Sequence, residues 1–300
     1  MNNLITKYGK VLVYILLPLA CVLLATSCSK DELSGDTIFP EGSPRRDKFD
    51  NWLLENYTYP YNVTFNYKFQ DIESDMKYQL VPADSAKAAK LAIIVKYLWF
   101  DAYVETVGQD FLKNNVPRII QVIGSPAYNS EGTIVLGTAE GGLKVTLYMA
   151  NELTDDLLHD YATLNDYYFH TLHHEFTHIL NQKKAYDTSF DLITESGYIS
   201  GDWYMISDTE ANKRGFVTAY AMSQGLEDFA EMLSVYVTDS PEEWNSMIAG
   251  AGDGARYINA KLAIVRDYMQ SSWNLDIDEL RSAVQHRAKE LSSLNLNELK

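Results

Sequence analysis

The sequence has little cysteine, little positive charge and only one long apolar run. Its 300 residues include two cysteines, Cys21 and Cys28, and 25 Lys plus Arg against 41 Asp plus Glu, for a net charge of −16. Both cysteines lie near the amino terminus, so no disulfide can brace the rest of the chain, and stability has to come from buried apolar side chains. The excess of acid argues against a phosphate-binding surface, and we expect no nucleic-acid partner.

The apolar run, from Val11 to Ala25, follows Lys7 and Lys10 and ends in small residues before Cys28. A basic segment, a short apolar segment and small residues are typical of a secretory signal peptide. The run is shorter than the about 20 apolar residues that a membrane-spanning helix needs. The letters LATSC that end at Cys28 resemble a bacterial lipobox, in which the cysteine is lipidated and becomes the mature amino terminus. The alternatives are a plain signal peptide and an uncleaved anchor.

These features predict three segments. They are a signal peptide at 1–27, a lipidated stalk at 28–45, polar and rich in Gly and Pro, and one folded domain at 46–300. The residues SKDE after the cysteine resemble the lysine-plus-acid tag of lipoproteins that Bacteroidota export to their surface. We therefore expect the protein in the outer membrane, lipid-anchored and exposed at the cell surface.

Hydrophobic periodicity predicts an α+β domain, with a small mixed sheet followed by a mainly helical carboxyl-terminal part. The strand pattern is clearest in 61–69, where apolar and polar residues alternate. Asp84 and Ser85 can cap a helix over 86–106, which Gly108 ends. The other predicted strands are 118–123, 133–137 and 143–149. The other predicted helices are 47–56, 165–182, 209–220, 225–238, 242–249, 254–271 and 277–292.

The segment 164–181 contains the pattern HEFTH, with histidines at His174 and His178. On a helix, a spacing of four residues places both imidazoles on one face, one turn apart, where they can bind the same ion. Glu175 lies about 100° round from His174 and can hold a water beside the metal. Apolar residues fall on the opposite side of the helix, facing a core: Tyr168, Phe169, Leu172, Phe176, Ile179 and Leu180. We predict a zinc site with one ion per chain.

Two histidines leave a catalytic zinc site one protein ligand short. The metzincin pattern does not supply it, because Asn181 and Lys184 stand where that pattern needs Gly and His. A carboxylate on a later helix is therefore expected. The segment 225–231, GLEDFAE, offers Glu227, with Glu231 one turn further on, and a shared cation would offset the repulsion between them.

Three alternatives stay open at this point. Glu195 and Glu210 are rival ligands, although neither has a second acid one turn later. The two acids of the segment 225–231 could instead form a solvated acidic helix face. His170, one turn before His174, could complete a structural zinc site, which is usually closed by four protein ligands.

The motif and the later acidic helix resemble the gluzincin peptidases, and the active-site segments are similar to those of anthrax lethal factor. Over its mature length the chain resembles the Bacteroidota family of substrate import-associated zinc metallohydrolase lipoproteins. The resemblance implies a zincin-like metallopeptidase domain. It also implies a place at the cell surface or in the periplasm, beside an outer-membrane nutrient importer.

The resemblance also implies a role for each matching residue. The implied zinc ligands are His174, His178 and Glu227. Glu175 would be the general base. Glu231 would orient His174, where thermolysin-like relatives use aspartate. Tyr220, seven residues before the ligand glutamate, would stabilise the oxyanion.

The expected partners are a peptide or protein substrate, the importer, and the membrane through the lipid anchor. The strand 143–149 precedes the metal helix, and we expect it at a sheet edge, where an extended substrate could pair with it. Two other functions remain possible on these residues. One is hydrolysis of a non-peptide amide bond, and the other is surface binding by a lipoprotein whose zinc is structural.

Overall fold

The computed structural model describes residues 46–70, 77–128 and 142–299, together with the backbone of two short strands at 134–135 and 137–140. The predicted signal peptide, Cys28 and the stalk lie outside the described residues. Among the helices of the described part, none is long and apolar enough to cross a bilayer. Residues Arg46–Lys300 form one compact unit.

The main sheet has four short strands in the order β1-β2-β6-β5. Strands β1, β2 and β6 are parallel, and β5 pairs antiparallel with β6. Strands β3 and β4 form a separate antiparallel ribbon. The strands are β1 Thr64–Asn66, β2 Ile119–Val122, β3 Ala127–Tyr128, β4 Ile134–Val135, β5 Gly137–Glu140 and β6 Lys144–Leu147.

The expectation that 143–149 is an edge strand is wrong. β6 has partners on both sides, and all four of its residues are buried. When a sheet is covered on both faces, the side chains that an inner strand points to either face are shielded from water. Among the described strands, the edge positions belong to β1 and β5, and β5 is the one beside β6. The alternation predicted over 61–69 is present, because Val63, Phe65 and Tyr67 are buried, although only the three residues of β1 pair as a strand.

Helices make up most of the domain, and the predicted α+β class is confirmed. The helices that precede β6 in the chain are α1 Lys48–Leu53, α2 Tyr59–Tyr61, α3 Ser85–Val95, α4 Asp101–Val107 and α5 Gln109–Asn115. After it they are α6 Tyr161–Leu164, α7 His170–Lys183, α8 Ser189–Leu192, α9 Asp208–Lys213, α10 Gly225–Thr238, α11 Pro241–Gly250, α12 Ala255–Trp273 and α13 Ile277–Glu290. Single π-helical turns join α1 to α2, α3 to α4 and α6 to α7.

The helix predicted over 209–220 is half wrong, because α9 ends at Lys213. Gly215 follows in a left-handed conformation, with φ of 91°, which turns the chain out of the helix. The side-chain amide of Asn212 then donates to the carbonyl oxygens of Phe216 and Val217 at 3.0 and 2.8 Å. The apolar residues after Gly215 are buried in this loop and not on a helix face, so their spacing suggested a helix that does not form.

The apolar side of α7 packs against the long helix formed by α3 and α4. The ring of Phe176 lies edge-on to Trp99 and Tyr103, with centroids 5.8 and 5.1 Å apart. All six residues of the predicted apolar stripe are buried. This packing turns the opposite side of α7, which carries His174 and His178, toward α10.

Candidate metal centre

Three ligand atoms from α7 and α10 converge on one point. Nε2 of His174 lies 3.0 Å from Nε2 of His178, and Oε2 of Glu227 lies 2.9 and 3.1 Å from these two nitrogens. Ligands about 2.0–2.2 Å from a tetrahedral zinc lie about 3.3–3.6 Å from one another. The three atoms therefore need to separate by only a few tenths of an ångström to bind one ion.

The hydrogen bonding of His174 shows that the point between these atoms suits a cation. Its other ring nitrogen, Nδ1, lies 2.7 Å from Oε1 of Glu231. If Nδ1 donates to that carboxylate in the neutral tautomer, Nε2 has only a lone pair, and it faces the Nε2 of His178 and the Glu227 carboxylate. Burial opposes the charged form of His174, but the two carboxylates outweigh it and raise its pKa to about 10. A proton or a metal ion between the three atoms relieves this repulsion.

Glu231 sits behind His174, on the side away from the point of convergence. Its Oε1 accepts from His170 Nε2 at 2.8 Å as well as from His174, and its Oε2 accepts from the hydroxyl of Thr218 at 2.6 Å. Burial raises the pKa of Glu231, but the two histidines lower it by more, so this carboxyl group stays ionised at neutral pH. A buried carboxylate with three donors is held in one orientation, and it fixes the ring of His174 in turn.

His170 is bound to Glu231 and is not one of the three converging atoms. It does belong, with His174 and Glu231, to a second group whose ligand atoms lie within 4.8 Å of one another. The 2.7 and 2.8 Å contacts of that group are ordinary hydrogen bonds, which account for it without an ion. His170 therefore does not supply a fourth ligand to the site formed with Glu227.

The two rival acids lie elsewhere. Glu210 accepts from the guanidinium of Arg214 at 3.0 Å, on the surface of α9. Glu195 is exposed in the single turn of 3-10 helix Glu195–Gly197. Neither belongs to a group capable of holding a metal in the part of the chain that the structure describes.

Glu175 and Tyr220 complete the surroundings of the site. Burial raises the pKa of Glu175, and the carboxylates of Glu227 and Glu231 add to that rise. Tyr220 begins a turn of 3-10 helix, Tyr220–Met222, and its ring centroid is 5.8 Å from that of His174. Burial and the charge of Glu227 raise the phenol's pKa well above its usual range, so the hydroxyl keeps its proton and can donate a hydrogen bond.

The start of α10 is held in place by close contacts. Gly225 lies so near Asp191 that a Cβ at this position would be 2.3 Å from the Oδ1 atom of that residue, so a larger residue would require the Asp191 side chain to move. Next to Glu227, the buried carboxylate of Asp228 binds the buried Lys261 of α12 at 2.5 Å and the hydroxyl of Tyr198 at 2.8 Å. Sequence reasoning missed this ion pair because single charged residues on separate helices give no periodic signal.

The comparisons with known proteins agree with this geometry. Residues 43–278 match a family described as "putative zinc-binding metallo-peptidase". The chain belongs to this family. It is also similar to the crystal structure of a "putative zinc-binding metallo-peptidase" from Bacteroides caccae, with a TM-score of 0.76 and 43% sequence identity over 88% of this chain and 100% of that chain. A search of curated proteins finds no match.

Proposed function

We propose that the protein is a zinc-dependent peptidase of the HExxH-plus-glutamate, gluzincin-like type, with one zinc per chain. The observation that carries the proposal is the convergence of His174 Nε2, His178 Nε2 and Glu227 Oε2, with Glu231 holding the first of these rings from behind. Three protein ligands leave the fourth position of a tetrahedral zinc open, as catalysis requires. Membership of a family of zinc-binding metallopeptidases supports the same chemistry.

When bound, zinc lowers the pKa of a water molecule to about 7 and polarises the scissile carbonyl. Glu175, whose pKa is raised by burial, takes a proton from the attacking water and passes it to the leaving amine. Tyr220 keeps its proton at neutral pH and donates a hydrogen bond to the oxyanion that develops on the carbonyl oxygen. Glu231 keeps His174 in the tautomer that presents Nε2 to the metal.

The sheet offers a place for an extended peptide. β5 is one of the two edge strands of the described sheet, antiparallel to β6, and it packs beside α7, the helix that carries the histidines. A substrate that pairs with the outer edge of β5 would run past the metal site with its main chain aligned by hydrogen bonds. The substrate-aligning role expected for 143–149 is therefore transferred to residues 137–140.

The proposed compartment and partners rest on the sequence. A lipidated Cys28 would anchor the enzyme to the outer membrane, facing the cell surface or the periplasm. There it would cleave peptides or proteins in support of a neighbouring nutrient importer. The net charge of −16 argues against a nucleic-acid partner.

The test is a comparison of wild type with Glu175→Gln, which keeps the size of the side chain but removes its basic oxygen. Zinc per chain is measured by elemental analysis, and cleavage is followed by a proteomic screen for new termini. We expect one zinc per chain in both proteins and cleavage by wild type that falls at least about 100-fold in the variant. Equal cleavage by both would contradict the mechanism. A zinc-loaded wild type that cleaves no peptide would favour a non-peptide amide substrate or a structural zinc.

A further inference from the structure

The turn that carries Tyr220 is joined to the metal centre through one hydroxyl group. Oγ1 of Thr218 donates to Oε2 of Glu231 at 2.6 Å and accepts from the backbone N–H of Ala221 at 3.1 Å. A threonine hydroxyl has one proton and two lone pairs, so it makes both bonds at once. The same hydroxyl therefore contacts the carboxylate that orients His174 and the backbone beside Tyr220.

The rest of this loop is clamped by other side chains. Lys261 Nζ donates to the carbonyl of Gly215 at 3.0 Å, and the side-chain amide of Asn212 donates to the next two carbonyls. On the other side of Thr218, the carboxylate of Asp208 accepts from the N–H of Ala219 at 2.7 Å. These groups fix the loop to α9 and α12. In the described part of the chain, Thr218 is the residue of this loop whose side chain hydrogen-bonds to Glu231, the carboxylate that orients His174.

We propose that Thr218 is a positioning residue of the metal centre, because its hydroxyl links the turn that bears Tyr220 to the Glu231–His174 pair. The expected effect on kcat rests on the proposed function, whereas the expected effect on zinc affinity does not. Without the hydroxyl, Glu231 loses one of its three donors, the one that bonds to Oε2, and the turn loses the bond that sets its distance from the metal. Both the affinity for zinc and the alignment of the tyrosine then fall.

The test uses two substitutions at one position. Thr218→Val keeps the shape of the side chain and removes both hydrogen bonds, whereas Thr218→Ser keeps the hydroxyl. Thr106→Val is the matched control, because Thr106 makes its hydrogen bonds to the carbonyls of Ala102 and Tyr103 within its own helix. Zinc affinity is measured by competition with a chromophoric chelator, and kcat and KM are measured on a peptide that wild type cleaves.

We expect Thr218→Val to lose about 10-fold in zinc affinity, the lower end of the effect of outer hydrogen-bond partners of metal ligands. We expect a similar fall in kcat, measured with saturating zinc, and little change in KM. Thr218→Ser should restore both, and Thr106→Val should match wild type. In the Glu231→Gln background, Thr218→Val should cost less zinc affinity than in wild type, because the two groups act together.

Other results would overturn the inference. Thr218→Val with wild-type zinc affinity and kcat would do so, and so would a Thr218→Ser variant as impaired as the valine variant. If Thr218→Val fails to fold, Thr218→Ala, which removes the same hydroxyl group, replaces it in every comparison, with the same expected losses. If wild type cleaves no peptide, the proposed function fails while the zinc-affinity measurement still tests Thr218.

Discussion

The ammonium group of Lys261 lies 2.5 Å from Oδ2 of Asp228, and both side chains are completely buried. Their bond joins α12 to α10 directly beside Glu227, and Tyr198 also donates to the same carboxylate oxygen. Burial raises the pKa of the Asp228 carboxyl group, and the charge of Lys261 opposes that rise. The helix that bears the candidate metal ligand is thus held from behind by a buried ion pair.

Lys261→Met should destabilise the domain strongly. The substitution leaves the Asp228 carboxylate buried without its cationic partner, and breaking a buried ion pair in this way costs about 3–5 kcal/mol in the free energy of unfolding. Lys90→Met is the matched control, because Lys90 pairs with the exposed Asp155 and its loss should lower the free energy of unfolding far less. Urea unfolding measures both. Equal losses in the two variants would show that the buried pair stabilises the domain no more than the exposed pair does.

The choice of Glu227 as the third ligand is tested by zinc content. Glu227→Gln removes the charge that converges with the two histidine nitrogens, so the variant should lose most of its zinc on dialysis against a weak chelator. Glu195→Gln and Glu210→Gln make the same change at the two rival acids and should retain zinc. A Glu227→Gln variant that keeps wild-type zinc, with loss in one of the other two, would make this assignment wrong.

The sequence predicted the histidine pair and its glutamate partners because both sets follow helical spacing, which α7 and α10 preserve. It predicted the long helices for the same reason. It did not predict Thr218 or Lys261, whose contacts depend on how separate elements meet. The helix expected over 209–220 shows the same limit, since Gly215 and the side chain of Asn212 form a loop from residues with helical spacing.

Strand order is the other property that periodicity could not supply. The edge position was expected for 143–149 because it precedes the metal helix, yet β6 has partners on both sides and all four of its residues are buried. Alternation along one strand reports which residues share a face and says nothing about the neighbours of that strand. The edge position of β5 therefore emerges only from the folded structure.

Tyr220→Phe should separate turnover from binding. The ring stays packed against Trp203, whose centroid is 5.1 Å away, while the hydroxyl proposed to contact the oxyanion is lost. We expect unchanged zinc content, little change in KM and a fall of about 100-fold in kcat. Tyr204→Phe is the control, because that tyrosine is 70% exposed and follows Trp203 in the chain. A Tyr220→Phe variant with normal kcat would remove Tyr220 from the mechanism.

Cys28→Ser tests the lipid anchor. The substitution removes the thiol that would carry lipid, and Cys28 is not part of the compact unit Arg46–Lys300. We expect wild type to partition into the detergent phase, whereas the variant should remain in the aqueous phase with wild-type zinc content and melting temperature. Wild type in the aqueous phase would contradict lipidation. An unfolded variant would contradict the assignment of 28–45 as a stalk outside the fold.

Zinc removal distinguishes the two overlapping groups of ligand atoms, which share His174. An ion that binds the folded state alone raises its stability by about 2.7 kcal/mol when the free ion is at 100 times its Kd. The melting temperature of wild type should therefore fall when zinc is removed by a chelator.

His178→Ala should abolish this zinc-dependent shift, because His178 belongs only to the group with Glu227. His170→Ala should retain most of the shift, because His170 contacts Glu231 and not the three converging atoms. The reverse result, with the shift lost in His170→Ala and kept in His178→Ala, would place the ion between His170, His174 and Glu231. The open coordination position proposed beside Glu175 would then have no support.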